Sequence, residues 1–254
     1  MRFPDFSLTD QIAVVTGASK GLGQGTAMAL ADAGAHVVVT SRVLERVEPI
    51  AAEIRKMGCE ALPLALEVRD LESVKAMVQA TLDRFGRIDI LINNAGINIP
   101  EPALLVTEAH WDRLMDINLK GLFFCAQKVG QVMVDQGRGK IINIGSQMGL
   151  VGGKLRAAYC SSKGGVVQLT KVLAIEWAQH GINVNGVAPT FLETPLTAAF
   201  FENKAFYDEV VGNILFSRLG QVEDVLGAII FLASPASDLI TGHTLLVDGG
   251  WTAQ

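Results

Sequence analysis

A chain of 254 residues, half of them apolar and 19% charged, has the length of one α/β domain and enough apolar mass for a large core, which excludes intrinsic disorder. Its formal net charge of −5 is spread without an acidic or basic block, so a nucleic-acid partner, which needs a stripe of Lys and Arg, is not expected. Cys59, Cys125 and Cys160 lack metal-ligand spacing and suit a reducing compartment. No stretch reaches the length of a membrane span, and MRFPDFSLTD has no apolar run behind Arg2 of the kind a secretory signal needs; the expected compartment is cytoplasmic.

Short β-branched runs alternate with helical stretches along the chain. Ile12 to Thr16 reads as a buried strand and Gly21 to Ala33 as a helix; His36 to Thr40 as a strand and Leu44 to Met57 as a helix. Ala61 to Leu66 is a strand containing Pro63, and Leu71 to Phe85 a helix with Asp70 at its N-cap. Ile88 to Ile92 is the fourth strand, Glu108 to Val134 a long helical region and Lys140 to Ile144 the fifth strand. Ala158 to Gln179 is a long helix stopped by Gly181, followed by a strand over Ile182 to Val187, a helix over Glu223 to Ala233 and a last strand over Thr244 to Val247. Strands apolar on both faces, alternating with helices, predict an α/β fold with a parallel sheet covered on both sides. No linker or repeat interrupts the pattern, so residues 1–254 are expected to form one domain. Pro189 to Leu219 breaks the alternation with Phe191, Phe200, Phe201, Phe206, Tyr207 and Phe216. Lying past a strand's carboxyl end, this insertion reads either as a loop closing over a ligand or as a helical hairpin packing its aromatics into the core or a subunit contact.

Thr16-Gly17-Ala18-Ser19-Lys20-Gly21-Leu22-Gly23 joins the first strand to the first helix. Glycines there allow a tight turn and close approach of a phosphate, and the helix N-terminus offers free N–H groups and a positive dipole end. A glycine turn alone is a weak signal; inside a βαβ unit it points to a dinucleotide. After the second strand a ribose 2′-hydroxyl wants a carboxylate and a 2′-phosphate wants Arg. Thr40-Ser41-Arg42 has no acid, and Lys20 stands in the glycine turn, so NADP(H) is favoured, with NAD(H) still open. Arg42 also reads as a solvated charge at a helix start. Asn93-Asn94-Ala95-Gly96, after the fourth strand, either lets a flat ring lie close or is a simple turn.

Tyr159 and Lys163 are four apart on a predicted helix and share a face. Such a pair arises often by chance; its place after the fifth strand, with Ser146 just past that strand's end, makes it informative. Oxidising an alcohol removes a hydroxyl proton as hydride leaves carbon. Free tyrosine, with a pKa of about 10, is a poor base at neutral pH. A neighbouring ammonium and a cationic nicotinamide are expected to lower it, and Ser146 to bond the substrate oxygen. Taken singly, the two read as a boundary Tyr and a solvated Lys.

Together, Thr16-Gly17-xxx-Gly21-x-Gly23, Asn93-Asn94-Ala95-Gly96, Asn118, Ser146, Tyr159-xxx-Lys163, Pro189 and the ending Gly242 to Gly250 resemble the short-chain dehydrogenase/reductase family over essentially the whole chain. The resemblance implies a single-domain Rossmann fold with a seven-stranded sheet. It implies Tyr159 as acid/base, Ser146 as substrate-oxygen partner, Lys163 on the ribose and lowering the tyrosine pKa, and Asn118 holding a water in the proton relay. It also implies a homotetramer with two long helices, about Trp111 to Asp135 and Ala158 to Gln179, at the main interface. Two positions depart from the family pattern: Glu67, beside Val68 and expected to flank the adenine, stands for the usual Asp, and Thr190 for the usual Gly after Pro189. The carboxamide is expected near the backbone of Leu192 and the hydroxyl of Thr194.

For the substrate, an alcohol or ketone, the sequence offers loops rather than a motif: Ile97 to Pro100, Gln147 to Arg156 and the aromatic insertion. Lys154 and Arg156 either attract a carboxylate or phosphate or are solvated loop or interface charges. Resemblance to sugar, sugar-acid and polyol dehydrogenases favours a small polar substrate. The alternatives are an apolar ketone, a 3-oxoacyl carrier-protein thioester, or a non-catalytic role as a cofactor-binding assembly protein.

Overall fold

A computed structural model describes residues 3–195 and 197–254. Met1, Arg2 and Leu196, on which the reading of the N-terminus and one position of the insertion fall, lie outside the described residues. One sheet is formed by β1 (Ile12–Val15), β2 (His36–Ser41), β3 (Ala61–Ala65), β4 (Ile90–Asn93), β5 (Gly139–Ile144), β6 (Ile182–Pro189) and β7 (Thr244–Val247). The spatial order is β3-β2-β1-β4-β5-β6-β7, seven strands with every neighbouring pair parallel. The connecting helices are α1 (Gly21–Asp32), α2 (Glu48–Lys56), α3 (Leu71–Phe85), α4 (Glu108–Met115), α5 (Leu122–Gln136), α6 (Ala157–Trp177), α7 (Ala198–Phe201), α8 (Lys204–Gly212) and α9 (Val222–Ala233). Among the described residues no helix is long and apolar enough to cross a membrane.

Both sheet faces are buried, which is why the strands read as unbroken apolar runs. Ala13 and Val15 of β1 pack into a core with Leu30 of α1, Ile54 of α2 and Ile229 of α9. Val14, pointing the other way, joins Met77 of α3, Val129 of α5 and Leu173 of α6. Pro63 is tolerated because β3 is an edge strand, where a missing N–H breaks no ladder on the outer side. Asp70 caps α3 as expected, its carboxylate accepting the Glu72 N–H at 3.0 Å, an interaction worth about 1 kcal/mol.

Three stretches differ from the sequence reading. The second helix begins at Glu48 rather than Leu44, because Leu44–Arg46 forms a separate 3-10 turn and Pro49 suits the first turn of the helix that follows. The long region from Glu108 is divided by a π-helical turn over Asp116–Gly121. A side chain at Gly121 would sit 2.8 Å from the Val68 carbonyl, so the helix passes the end of β3 only with glycine there. The aromatic insertion divides its residues: Phe191, Phe201, Phe206 and Trp251 meet at ring separations of 5.7–6.1 Å over Val210, Ile214 and Leu219. Phe200 instead faces the cleft described next, and Phe216 is exposed. Phe191, Phe201 and Phe206 thus follow the packing reading, while Phe200 borders the cleft.

Candidate active site

Strand order reverses between β1 and β4, and in open α/β sheets the crevice at such a point receives the ligand. A cleft of about 440 Å³ opens there, within the size range of small-molecule sites. Its wall includes Gly17, Ser19, Lys20, Gly21, Leu22 and Gly23 after β1; Ser41 and Arg42 after β2; Glu67 and Val68 after β3; and Asn94, Ala95 and Gly96 after β4. Ser146, Tyr159, Lys163, Pro189, Thr190, Leu192 and Thr194 complete it. Asn118 is fully buried behind this wall.

The glycine turn is held by its neighbour. Gly17 has φ of 66°, and a Cβ there would lie 2.9 Å from Ala95 Cα. A Cβ on Gly23 would collide with the Gly17 carbonyl and the Asn94 amide. Asn94 Nδ2 donates to the carbonyls of Thr16 and Gly17 at 2.9 and 3.0 Å, and Thr16 Oγ1 accepts the N–H groups of Asn94 and Ala95, each at 3.0 Å. The Asn94 side chain thus ties two loops together rather than facing a ring. Lys20 occupies the N-cap of α1, and no side chain caps that helix, leaving its positive end to the cleft.

Ser41 spends its hydroxyl on its own loop, donating to the Val43 carbonyl at 2.6 Å. Arg46, which the sequence reading missed, joins Arg42 on the wall; its signal was a second arginine shortly after the end of the second strand. Glu67 pairs with Arg69 at 2.8 Å. Arg69, more than Arg42, holds its carboxyl below the usual range.

At the end of β5, Ser146 Oγ accepts the Met148 N–H at 3.1 Å and donates to Gln147 Oε1 at 3.0 Å. Gln147 Nε2 donates to Thr190 Oγ1 at 3.3 Å, so the residue standing for the family's glycine is built into the bonding around Ser146. Lys163 is buried, its Nζ donating to the Ile144 carbonyl at 2.7 Å and lying 5.9 Å from the Tyr159 ring centre. Burial alone drives its pKa down to about 8. Burial also raises the Tyr159 phenol, outweighing the hydrogen bond to Ser146 and the charge of Arg156, which pull it down. The lowered tyrosine expected from the sequence is therefore not a property of the protein alone: desolvation wins. Asn118 Nδ2 donates to the Ile97 carbonyl and Ser162 Oγ at 2.9 and 3.2 Å, and its Oδ1 accepts the Ile97 N–H at 2.8 Å; the side chain braces the loop after β4 against α6.

Lys154 is exposed and paired with Glu209 at 3.1 Å. Arg156 is the opposite case, buried near Tyr159 with its guanidinium carbon 5.7 Å from the Phe200 ring centre.

Comparison with known proteins agrees with this geometry. Residues 17–252 match a family model described as enoyl-(acyl carrier protein) reductase. The chain is 40% identical to the 2-dehydro-3-deoxy-D-gluconate 5-dehydrogenase of Escherichia coli, over 98% of both chains. It is 42% identical to a 3-oxoacyl-[acyl-carrier-protein] reductase of Synechocystis, over 96% of this chain and 98% of the other. A gluconate 5-dehydrogenase of Burkholderia cenocepacia, solved in complex with NADP and tartrate, superposes with a TM-score of 0.96 at 39% identity, covering 99% and 98% of the two chains. The parallel seven-stranded sheet, the glycine turn at its switch point and the Ser146, Tyr159 and Lys163 cluster, together with these similarities, show that the chain belongs to the short-chain dehydrogenase/reductase family.

Proposed function

We propose that this protein is an NADP(H)-dependent oxidoreductase interconverting a secondary alcohol and a ketone on a small polyhydroxy substrate. The observation that carries the reading is the convergence of Ser146, Tyr159 and Lys163 on one cleft with an uncapped helix N-terminus and two arginines at the end of β2. The residues fit the cofactor: Gly17 and Gly21, at φ of 66° and 56°, leave no side chain over the turn, Lys20, Arg42 and Arg46 offer cations to phosphates, and NADP accompanies the Burkholderia relative. When bound, the cofactor supplies or accepts the hydride.

The chain's own residues handle the proton. Ser146 turns its hydroxyl from Gln147 to the substrate oxygen and Tyr159 exchanges a proton with that oxygen, as general acid in reduction and base in oxidation. Lys163, its pKa lowered to about 8 and so still mostly protonated at neutral pH, would donate to the ribose hydroxyls when the cofactor is bound, and its charge favours the phenolate. Because the Asn118 side chain is committed to Ile97 and Ser162, a relay water would be held by its main chain. We further propose that the whole chain acts as one catalytic domain with 189–219 as its substrate loop, that it assembles as a homotetramer, and that it works in the cytoplasm.

The carrier-protein reading draws on the Synechocystis relative. It needs free cations around the cleft mouth to dock an acidic carrier, and Lys154, in the loop before α6, is paired with Glu209. The test is a panel of sugars, polyols, sugar acids, cyclic ketones and acyl thioesters with NADP(H) and NAD(H), followed at the nicotinamide absorbance. Turnover of polyhydroxy substrates with NADP(H) is expected; turnover of acyl thioesters alone would install the carrier reading, and a chain that binds NADPH but turns nothing over would be an assembly protein.

A further inference from the structure

Arg156 is a charged group that the proton chemistry does not use. It is 4% exposed, and among the described residues no carboxylate pairs with it. One nitrogen, Nη1, donates to the Leu155 carbonyl at 3.3 Å. Its buried Nε has no hydrogen-bond partner, and no partner is found for Nη2 among the described residues. A buried guanidinium left in this state is costly, because it has lost water without gaining a counter-ion; burial accordingly pulls its pKa below the ordinary value. Two features show that the position is held rather than incidental. Leu155, immediately before it, is one of three described non-glycine residues with positive φ, at 61°, a strained backbone of the kind kept at ligand clamps. Phe200, part of the cleft wall, covers the guanidinium at 5.7 Å.

We propose that Arg156 is the anion-binding residue of the substrate site, and that the preferred substrate is a polyhydroxy acid whose carboxylate is gripped by the Nε–Nη2 edge. This rests on the alcohol–ketone reading above. The Nε–Nη2 edge, unmatched inside the chain and covered by Phe200, carries two parallel N–H donors, the geometry that matches the two oxygens of a carboxylate. Arg156 is the N-cap of α6, three residues before Tyr159, and close enough for its charge to act on the Tyr159 phenol. One short molecule therefore reaches both groups, with its carboxylate at Arg156 and its reacting carbon at Tyr159. Phe200, on the four-residue α7, swings off the guanidinium to admit the acid. The phosphate-binding cations Lys20, Arg42 and Arg46 belong to other strand ends, so Arg156 is free for the substrate.

The test compares gluconate with sorbitol, its uncharged counterpart, under NADP, in wild type, Arg156→Lys and Arg156→Met, with NADPH binding as the folding control. The expected result is a fall of at least 100-fold in the gluconate-to-sorbitol ratio of kcat/KM for Arg156→Met, mainly through the KM for gluconate, with partial retention in Arg156→Lys. Equal losses on both probes, accompanied by a shifted pH profile, would make Arg156 a modulator of Tyr159 and overturn the proposal. Should Arg156→Met fail to fold, wild type gives the second reading: tartrate must compete with sorbitol and its dimethyl ester must not, and equal inhibition by the two overturns the carboxylate site. Wild type that turns over neither gluconate nor sorbitol refutes the broader function, a result distinct from turnover of both without selectivity.

Discussion

The turn after β1 and the loop entering α6 face the same cleft and are finished differently. Around the glycine turn the side chains that tie the loops are matched inside the chain: Asn94 to two carbonyls, Thr16 to two N–H groups, Ser41 to its own loop. The uncapped N–H groups of α1, with Ser19, Lys20, Arg42 and Arg46, are left for a ligand. The α6 side is built from groups that burial penalises, a lysine at about 8, a raised tyrosine and an arginine with an unmatched nitrogen. One wall has its loops tied and its cations at the surface of the cleft; the other buries its ionisable groups without matching them. The contrast locates chemistry where the protein has left charge uncompensated, as active sites generally do.

The largest expected break comes from Tyr159→Phe. It removes the only phenol among the described residues of the cleft wall while leaving the glycine turn intact, so turnover falls by about 10²–10⁴-fold, the usual worth of a positioned acid/base, and NADPH affinity stays within a few-fold. Steady-state kinetics beside fluorescence titration of NADPH check both halves; a normal rate in this variant ends the mechanism. On the other wall, Arg42→Ala removes a charge-assisted contact and weakens NADPH binding by about 10–100-fold, with NADH little affected. Equal losses for the two cofactors would return Arg42 to a solvated charge.

These walls were unequally legible in the sequence. The glycine turn, Asn94 to Gly96 and the Tyr159–Lys163 spacing are local patterns with local meaning, and each falls on the cleft wall. What sequence could not show is where hydrogen bonds end. Asn94 reads as a ring contact until its amide is seen bridging two loops. Lys154 and Arg156 read alike until one is found paired at the surface and the other buried. The tyrosine's pKa depends on the depth of packing around it, which no spacing reports. The same holds for the need for glycine at position 121: the Val68 carbonyl that crowds a side chain there is more than fifty residues away in the chain.

Lys163→Met tests the claim that the α6 wall is held at a cost. A lysine moved from 10.5 to about 8 by burial carries about 3 kcal/mol of unfavourable free energy at neutral pH, at roughly 1.4 kcal/mol per unit. Because its folded pKa is depressed, the unfolded chain binds more protons between pH 8 and 10.5, and stability rises with pH across that window. Methionine removes the charge and leaves the Ile144 carbonyl without its donor, a loss of about 1 kcal/mol. The variant is expected to be inactive yet about 2 kcal/mol more stable in denaturant at pH 7, with the gain shrinking by pH 10. A variant less stable at pH 7 would show that Lys163 is paid for within the protein and that the two walls are not so different.

The smallest effect is expected where the walls meet. Thr190 accepts from Gln147, which in turn accepts from Ser146, so a residue after β6 reaches the Ser146 hydroxyl through one amide. Thr190→Val keeps the shape and removes the acceptor, leaving Gln147 Nε2 buried without a partner. At about 1 kcal/mol this loosens Gln147 and lowers kcat/KM by about five-fold, chiefly in kcat, since the cofactor contacts of the glycine turn are untouched. Thr190→Ser, which restores the acceptor, is expected to recover the rate. Recovery by Ser but not by Val separates a hydrogen bond from the backbone stiffness that any β-branched residue gives this position. If Val matches wild type, the departure from glycine at this position is a matter of backbone alone.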